Sequence, residues 1–177
     1  FVEKFVAKMD ALVMGDPMDE QTQLGPLATA GGLRDIQELV EDARSKGARI
    51  LCGGTAPEGK GYFFPATVID EITPEMRLTM EEAFGPVASV YKVGSKEEAI
   101  QVANQTTFGL SSAVWTQDPD QEAYFVEQLA AGAVFVNGMT ISFPELAFGG
   151  IKDSGFGREL SDAGIKEFCN LKTVWKG

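Results

Sequence analysis

Histidine is absent from this 177-residue chain, and cysteine occurs only as Cys52 and Cys169. Without histidine the chain cannot form a Ser-His-Asp triad or a Cys-His pair of its own, and it lacks the commonest ligand of transition metals. Two cysteines far apart in sequence give neither a disulfide framework nor a zinc-binding pattern. We therefore predict no metal site, and we predict inert cysteines because neither has a neighbouring base that would lower the pKa of its thiol.

Long apolar runs are also missing, and basic residues are few. No apolar segment approaches the length that spans a bilayer, and the N-terminus lacks the layout of a signal peptide. The chain has 15 Lys and Arg against 26 Asp and Glu, a net charge of −11, so its field repels nucleic acids and anionic membranes. These features favour a reducing cytoplasm. Because residues 1–13 form a helical pattern already in progress, we expect the chain to be part of a longer protein.

Helical and strand patterns alternate along the chain. Apolar spacing predicts helices at residues 1–13 and 29–46, two more beginning at residues 95 and 118, and a last one at residues 159–168. Short apolar strands are predicted at residues 48–52, 62–69, 87–93, 111–116, 133–136 and 171–175. Short, nearly continuous apolar strands between helices indicate parallel pairing with both faces covered. The predicted class is α/β, with no linker that would divide the chain.

Two stretches are candidates for a functional site. Residues 143–160 combine four glycines with large apolar side chains, among them Phe143, Leu146, Phe148 and Phe156, and follow a strand, which places them where α/β sheets bind ligands. The alternative is a packed loop without chemistry, in which Arg158 and Glu159 form a structural pair. Residues 81–86 are the second candidate, because a carboxylate can accept two hydrogen bonds from a ribose diol beside an aromatic ring. The alternative there is a surface carboxylate before a buried turn.

Taken together, these segments resemble the C-terminal part of an NAD(P)-dependent aldehyde dehydrogenase. The resemblance rests on motifs spread along the whole chain in the order of the family: Gly15-Asp16-Pro17, Gln23-Leu24-Gly25-Pro26-Leu27, Gly61-Tyr62-Phe63-Phe64-Pro65-Ala66-Thr67-Val68, Glu81-Glu82-Ala83-Phe84-Gly85-Pro86-Val87, Phe148-Gly149-Gly150-Ile151-Lys152 and Gly157-Arg158-Glu159-Leu160. Within the family, Pro144-Glu145-Leu146 and the segment from Gly164 to Trp175 are most similar to bacterial succinate-semialdehyde dehydrogenases.

The resemblance implies a three-layer, open, mainly parallel sheet with helices on both faces, incomplete on its N-terminal side. It also implies that a cysteine thiolate attacks an aldehyde, that hydride passes to the nicotinamide, and that a glutamate-activated water hydrolyses the thioester. In the family that cysteine and that glutamate lie upstream of the segment matched here. We therefore expect no catalytic residue and no turnover in this chain, and neither Cys52 nor Cys169 matches the nucleophile.

The resemblance carries residue roles only where the motifs match. Glu82 corresponds to the glutamate that holds the nicotinamide ribose, and Phe84 to the aromatic residue beside it. The loop from residue 140 to Phe148 corresponds to the wall of the aldehyde entrance. Either Ser142 or Phe143 corresponds to a serine that binds the distal carboxylate of succinate semialdehyde. If Phe143 is the match, an apolar ring replaces that hydroxyl, which brings succinate semialdehyde into question.

The remaining expectations concern partners and organisation. Residues 1–170 are expected to be part of the catalytic domain, and residues 171–177 a C-terminal strand that contacts another subunit. The resemblance implies a small aldehyde substrate, NAD or NADP as cofactor, and a homo-oligomer, a dimer or a tetramer. The alternative hypothesis is a non-catalytic module for oligomerisation or small-molecule binding. The choice between NAD and NADP belongs to a domain absent from this chain.

Overall fold

The computed structural model describes all 177 residues, and they form two compact units, Phe1–Lys92 and Val93–Gly177. The boundary between the two units lies after the strand that ends at Ser89 and before Ser95, the N-cap of the following helix. The sequence shows no linker at this point. None of the helices is both long and apolar enough to cross a membrane.

The first unit contains two helices and one three-stranded sheet. Its elements are α1 (Val2–Asp10), α2 (Ala30–Ser45), β1 (Arg49–Cys52), β2 (Thr67–Asp70), a 3₁₀ helix (Arg77–Thr79) and β3 (Val87–Ser89). The sheet order is β1-β2-β3. β1 runs antiparallel to β2, with Arg49 opposite Asp70, and β3 runs parallel to β2. β2 is therefore the central strand, and its pairing sets the register of both neighbours.

The core of the first unit lies against α2. The helix begins after Thr29, whose Oγ1 accepts a hydrogen bond from the Gly32 amide at 3.0 Å. Its buried face is Ile36, Leu39, Val40 and Ala43, which cluster with Phe64, Ile69, Met76 and Leu78. Burying a large apolar side chain contributes about 1.5–3 kcal/mol, so this cluster is the main source of stability in the unit.

The second unit contains three helices and two small sheets. Its elements are α3 (Lys96–Asn104), β4 (Phe108–Gly109), β5 (Ser111–Val114), α4 (Pro119–Gln128), β6 (Ala133–Val136), β7 (Ile151–Lys152) and α5 (Ser161–Glu167). β5 and β6 are parallel with Ser111 opposite Ala133, whereas β4 and β7 are antiparallel. The crossover from β5 to β6 passes through α4, as a parallel pair requires.

Side-chain caps explain where α3 and α4 begin. Ser95 Oγ accepts a hydrogen bond from the Glu98 amide at 3.1 Å, and Glu98 Oε2 accepts one from the Gly94 amide at 2.6 Å. This resembles a capping box, except that the Glu98 carboxylate accepts from the amide of Gly94 and not from that of the N-cap residue Ser95. Asp118 caps α4 and Pro119 occupies its first turn, which agrees with the helix start predicted from the sequence.

The α/β class and the predicted helices are confirmed, and the expected parallel pairing occurs in β2–β3 and β5–β6. The strands are two to four residues long and are divided among three small sheets. β1 and β2 instead pair antiparallel, as consecutive strands joined without a crossover element do. Several predicted strands were too long, because apolar residues continue beyond the hydrogen-bonded part of each ladder.

The last strand predicted from the sequence does not form within the single chain. Residues 171–177 adopt neither helix nor strand, and no backbone hydrogen bond joins them to the rest of the chain. A strand requires a neighbour to pair with, and Leu171 is fully exposed while Trp175 is 84% exposed. Their contact with another subunit stays a prediction.

Candidate functional site

One candidate region begins where β6 ends, at Asn137. Its amide donates to the Val114 carbonyl at 2.7 Å, which extends the β5–β6 pairing by one residue. Its side-chain amide then pairs with the backbone of Thr116 as the next residue of a strand would. Oδ1 accepts from the Thr116 amide at 3.0 Å, and Nδ2 donates to the Thr116 carbonyl at 2.9 Å. Asn137 also has a positive φ of 52°, which asparagine tolerates better than most residues. It therefore turns the chain out of the sheet in a fixed direction.

The loop after Asn137 is fixed again at its far end. Phe148 and Glu159 form an antiparallel bridge, with amide-to-carbonyl distances of 2.9 Å and 2.6 Å. Between these anchors, the Leu146 amide donates to the Phe143 carbonyl at 3.1 Å and closes a turn. The loop is thus held by backbone hydrogen bonds at both ends and in its middle.

The loop and β6 together enclose an open pocket of about 390 Å³. It is lined by Ala133, Val134, Phe135, Val136, Ile141, Ser142, Phe143, Leu146, Ala147 and Phe148. The structure therefore brings Ser142, Phe143 and Phe148 to one pocket. The Ser142 hydroxyl is its only polar side-chain group, and no cation lines it. Within this unit, a ligand in the pocket meets an apolar wall with one hydrogen-bonding group.

Sequence reasoning missed part of this pocket. It assigned the wall to the loop alone, whereas the residues of β6 form the opposite side. The signal was present, because a loop that leaves the end of a strand and returns beside it must face that strand. Ile141, Leu146 and Ala147 were likewise contained in the predicted loop without being singled out as lining residues.

Arg158 holds the glycine-rich stretch, although not through the predicted partner. Its Nη1 donates to the carbonyls of Gly150 at 3.0 Å and Gly157 at 2.6 Å. Glu159 forms no ion pair with it, and the carboxylate that contacts Arg158 is that of Glu167, whose Oε1 accepts a hydrogen bond from the Arg158 amide at 3.3 Å. The expected Arg158–Glu159 pair is therefore wrong, while the structural role of Arg158 agrees with its contacts.

The second candidate region is the segment before β3 in the first unit. Ala83 packs against the hydrophobic core, and an added Cβ on Gly85 would lie 2.8 Å from Ile36 Cγ1. Glu82, just before Ala83, is exposed, and Phe84, between Ala83 and Gly85, is 76% exposed. The alternation puts the carboxylate and the ring at neighbouring outward positions. Phe84 is thus not the buried turn residue of the alternative reading.

Glu82 is free to bind a ligand, whereas its neighbour Glu81 is not. No ion pair or hydrogen bond within the chain engages the Glu82 carboxylate. Arg77 donates to Glu81 from Nε at 2.7 Å and from Nη2 at 2.8 Å. These two hydrogen bonds hold the pKa of the Glu81 carboxyl below its ordinary value, and they raise the pKa of Arg77. The segment therefore presents one unpaired carboxylate beside one exposed ring.

This arrangement fits a ribose followed by a flat ring. A carboxylate accepts hydrogen bonds from both hydroxyls of a diol, and an exposed aromatic face packs against a planar group. Glu82 and Phe84 thus have the side-chain chemistry that could hold a nucleotide cofactor. A bound cofactor would shield much of the exposed Phe84 ring from water.

Neither cysteine has the surroundings of a nucleophile. Burial raises the pKa of the Cys52 thiol, whose Sγ lies 3.8 Å from the Ala66 carbonyl oxygen. Cys169 is exposed, and its Sγ lies 3.3 Å from the Ile165 carbonyl oxygen. A reactive thiolate needs a neighbouring cation or base, whereas the hydrogen-bond partner of each thiol is a carbonyl oxygen. The chain also contains no group of three His, Cys, Asp or Glu placed to hold a metal ion.

Comparison with known proteins gives one consistent result. The model of the aldehyde dehydrogenase family matches residues 1–174. The chain is 56% identical to succinate-semialdehyde dehydrogenase (NADP+) 1 of Mycobacterium ulcerans, over 100% of this chain and 39% of that protein. It thus spans about two fifths of the length of this curated relative.

Solved structures agree with this relationship. A mutant of the aldehyde dehydrogenase from Bacillus cereus matches 99% of this chain and 36% of its own, with a TM-score of 0.94 and 33% identity. Betaine aldehyde dehydrogenase from Staphylococcus aureus in complex with NAD+ matches 94% of this chain and 34% of its own, with a TM-score of 0.89 and 32% identity.

Proposed function

The chain belongs to the aldehyde dehydrogenase family, and on this premise we propose that it is part of an enzyme that oxidises a small aldehyde to a carboxylate with NAD+ or NADP+. The observation that carries the proposal is the 56% identity, over the entire chain, to a relative named succinate-semialdehyde dehydrogenase (NADP+) 1. In the balanced reaction, aldehyde and water give the carboxylate, and the dinucleotide accepts a hydride while protons are released.

In this proposal the chain binds and orients the reactants. The nicotinamide dinucleotide, when bound, supplies the hydride acceptor. Glu82 accepts hydrogen bonds from the nicotinamide ribose, and Phe84 packs beside it. The pocket with Ser142, Phe143 and Phe148 forms one wall of the aldehyde site. The nucleophilic cysteine and the base glutamate belong to upstream sequence, so the 177-residue chain alone is inactive.

The finer proposal for the substrate is succinate semialdehyde or an aldehyde like it. Ser142 supports this, because its hydroxyl has no partner within the chain and can donate to a distal carboxylate. Phe143 restricts the range of aldehydes that fit, because its ring adds apolar surface to the same pocket. With one hydroxyl and no cation in this wall, the remaining partners of a carboxylate would come from other parts of the whole enzyme.

The proposal also covers the location, the oligomeric state and the partners of the enzyme. We infer a cytoplasmic homo-oligomer, in which residues 1–170 are part of the catalytic domain and residues 171–177 contact another subunit. The net charge of −11 supports neither a nucleic acid nor an anionic membrane as partner. Light scattering of the full-length gene product tests this, and a monomer at all concentrations would contradict it.

The experiment for the activity compares the full-length gene product with the 177-residue chain. Each is given NAD+ or NADP+ and a panel of aldehydes, including succinate semialdehyde and an unbranched alkanal of the same chain length. We expect reduced dinucleotide from the full-length product only. A full-length product that reduces neither dinucleotide with any aldehyde refutes the proposal, and turnover by the short chain refutes its inactivity.

Two variants of the full-length product test the substrate wall. Ser142→Ala should raise KM for succinate semialdehyde about 3- to 10-fold, the effect of one hydrogen bond, and leave the alkanal unchanged. Met139→Ala is the control, because Met139 lies in the same loop, is 77% exposed and does not line the pocket. Equal KM values for Ser142→Ala and the unaltered enzyme would remove Ser142 from the site.

The alternative function, a non-catalytic module for oligomerisation or small-molecule binding, has one observation in its favour. Phe168 and Leu171 are 95% and 100% exposed, and exposed apolar side chains close together mark interaction surfaces. Oligomer formation without dinucleotide binding by the full-length product would favour this module over the enzyme.

A further inference from the structure

Residues 81–86, which we call the cofactor segment, carry two consecutive carboxylates, Glu81 and Glu82. Only one of them forms hydrogen bonds with another residue of the chain. Arg77 binds Glu81 through two hydrogen bonds, in the parallel geometry that gives arginine–carboxylate pairs their directional specificity. Glu82 has no such partner. Arg77 therefore distinguishes two otherwise identical neighbouring side chains.

Arg77 is itself fixed to the core helix α2. Its backbone amide donates to Asp42 Oδ2 at 2.9 Å, and its Nη1 lies 3.7 Å from Glu38 Oε2. Asp42 and Glu38 are one helical turn apart on α2, which is the most deeply buried helix of the unit. The position of Glu81 is therefore tied to the core rather than to the surface loop alone.

The downstream end of the segment is fixed by backbone. The Thr67 amide of β2 donates to the Pro86 carbonyl at 2.8 Å, and Gly85 fits closely against Ile36. With both ends fixed, the outward or inward direction of each residue between them is also fixed. A shift by one residue would turn Phe84 toward the core and bring Glu81 to the position of Glu82.

We propose that Arg77 is a positioning residue for the cofactor: by binding Glu81, it leaves Glu82 as the single free carboxylate and holds Glu82 and Phe84 toward the nicotinamide riboside. The inference rests on the proposed function, because it takes Glu82 and Phe84 as the cofactor residues.

The experiment uses the full-length gene product and measures the dissociation constant of NADPH, and separately of NADH, by fluorescence titration without aldehyde. Arg77→Met removes the charge and the donors, and Glu81→Gln weakens the pair but keeps the Arg77 contact with Asp42. Arg49→Met is the matched control, because Arg49 also forms a two-bonded pair with a carboxylate in the same unit but lies away from the segment in sequence.

We expect Arg77→Met to weaken binding of the reduced dinucleotide about 3- to 10-fold, the effect of one or two hydrogen bonds. Glu81→Gln should change it in the same direction, and Arg77→Lys should restore part of the loss because it retains the charge. Arg49→Met should stay within twofold of the unaltered protein. Binding of ADP, which lacks the nicotinamide riboside, should be unaffected by all four substitutions.

A double substitution separates positioning from general stability. If Arg77 acts through Glu82, adding Arg77→Met to Glu82→Gln should weaken binding further by less than twofold. Full additivity of the two losses, or an equal loss of ADP affinity, overturns the positioning role. Unchanged binding in Arg77→Met and Glu81→Gln also overturns it while the proposed function stands. A full-length protein that binds neither dinucleotide refutes the proposed function and this inference together.

Discussion

Gly132 is the glycine at which an added methyl group would meet the closest obstacle in the chain. It immediately precedes β6, and its amide donates to the Gly109 carbonyl at 3.0 Å. An added Cβ would overlap the Gly149 carbonyl oxygen and lie 2.9 Å from the Gly149 carbonyl carbon and 3.1 Å from the Leu110 oxygen. All three obstacles are backbone atoms, so no side-chain rotation relieves the overlap of Gly132→Ala.

The expected cost follows from what must move. Gly149 adjoins Phe148, whose bridge to Glu159 closes the loop, so displacing Gly149 strains the pocket wall as well as the sheet. Overpacking of a filled site costs about 1–3 kcal/mol. Because the obstacles are backbone on two sides, we expect Gly132→Ala to lower the free energy of unfolding by about 3 kcal/mol or more.

Denaturant unfolding of the chain measures this change, with Gly138→Ala as control. Gly138 lies beyond the opposite end of β6, in the pocket loop, and the nearest atom to an added Cβ there is the Val136 oxygen at 3.8 Å. Gly138→Ala should change the free energy of unfolding by no more than about 0.5 kcal/mol. Equal midpoints for the two variants would show that the close approach of Gly132 to Gly149 does not limit the fold.

Two further predictions concern the first unit. Thr67→Val should lower the free energy of unfolding by about 1–3 kcal/mol, because it leaves the buried Gly54 amide and Pro65 carbonyl, 2.8 Å and 2.9 Å from Thr67 Oγ1, without a partner; a loss no larger than that of an exposed threonine would contradict this. Hydrogen bonds from Arg49 hold the pKa of Asp70 below its ordinary value. Since the folded pKa is lower than the unfolded value near 4, this stabilisation is complete above about pH 4 and is lost as pH falls through the folded pKa. Arg49→Met should therefore flatten the acid side of the stability profile, and an unchanged profile would refute the pairing.

Helices were predictable from the sequence because each has a local signal. Thr29 and Asp118 are capping residues just before apolar periodic segments, and both cap helices in the structure. Strand lengths were less predictable, because an apolar run does not reveal how many of its residues find a partner. The tail at residues 171–177 is the extreme case, since its apolar pattern is that of a strand but its backbone forms no hydrogen bond with the rest of the chain.

The candidate site was predictable to the level of segments but not of contacts. Residues 143–160 and 81–86 stand out by composition, yet nothing local indicates that β6 forms the other wall of the pocket. The partner of Arg158 was wrong for a related reason. Sequence proximity favours a neighbouring carboxylate, whereas the fold brings the carbonyls of Gly150 and Gly157 within reach.

Both candidate regions share a physical arrangement that sequence alone does not reveal. In each, the group proposed to bind a ligand has no partner within the chain, while a residue close by is firmly bonded. Glu82 is free beside the Glu81–Arg77 pair, and the Ser142 hydroxyl is free in a loop anchored by Asn137. A group already bonded internally would have to lose that bond to bind a ligand, at a cost that offsets the gain. Rigid neighbours also reduce the entropy lost on binding. In both regions, a free polar group beside a fixed neighbour therefore lowers the cost of binding a ligand there.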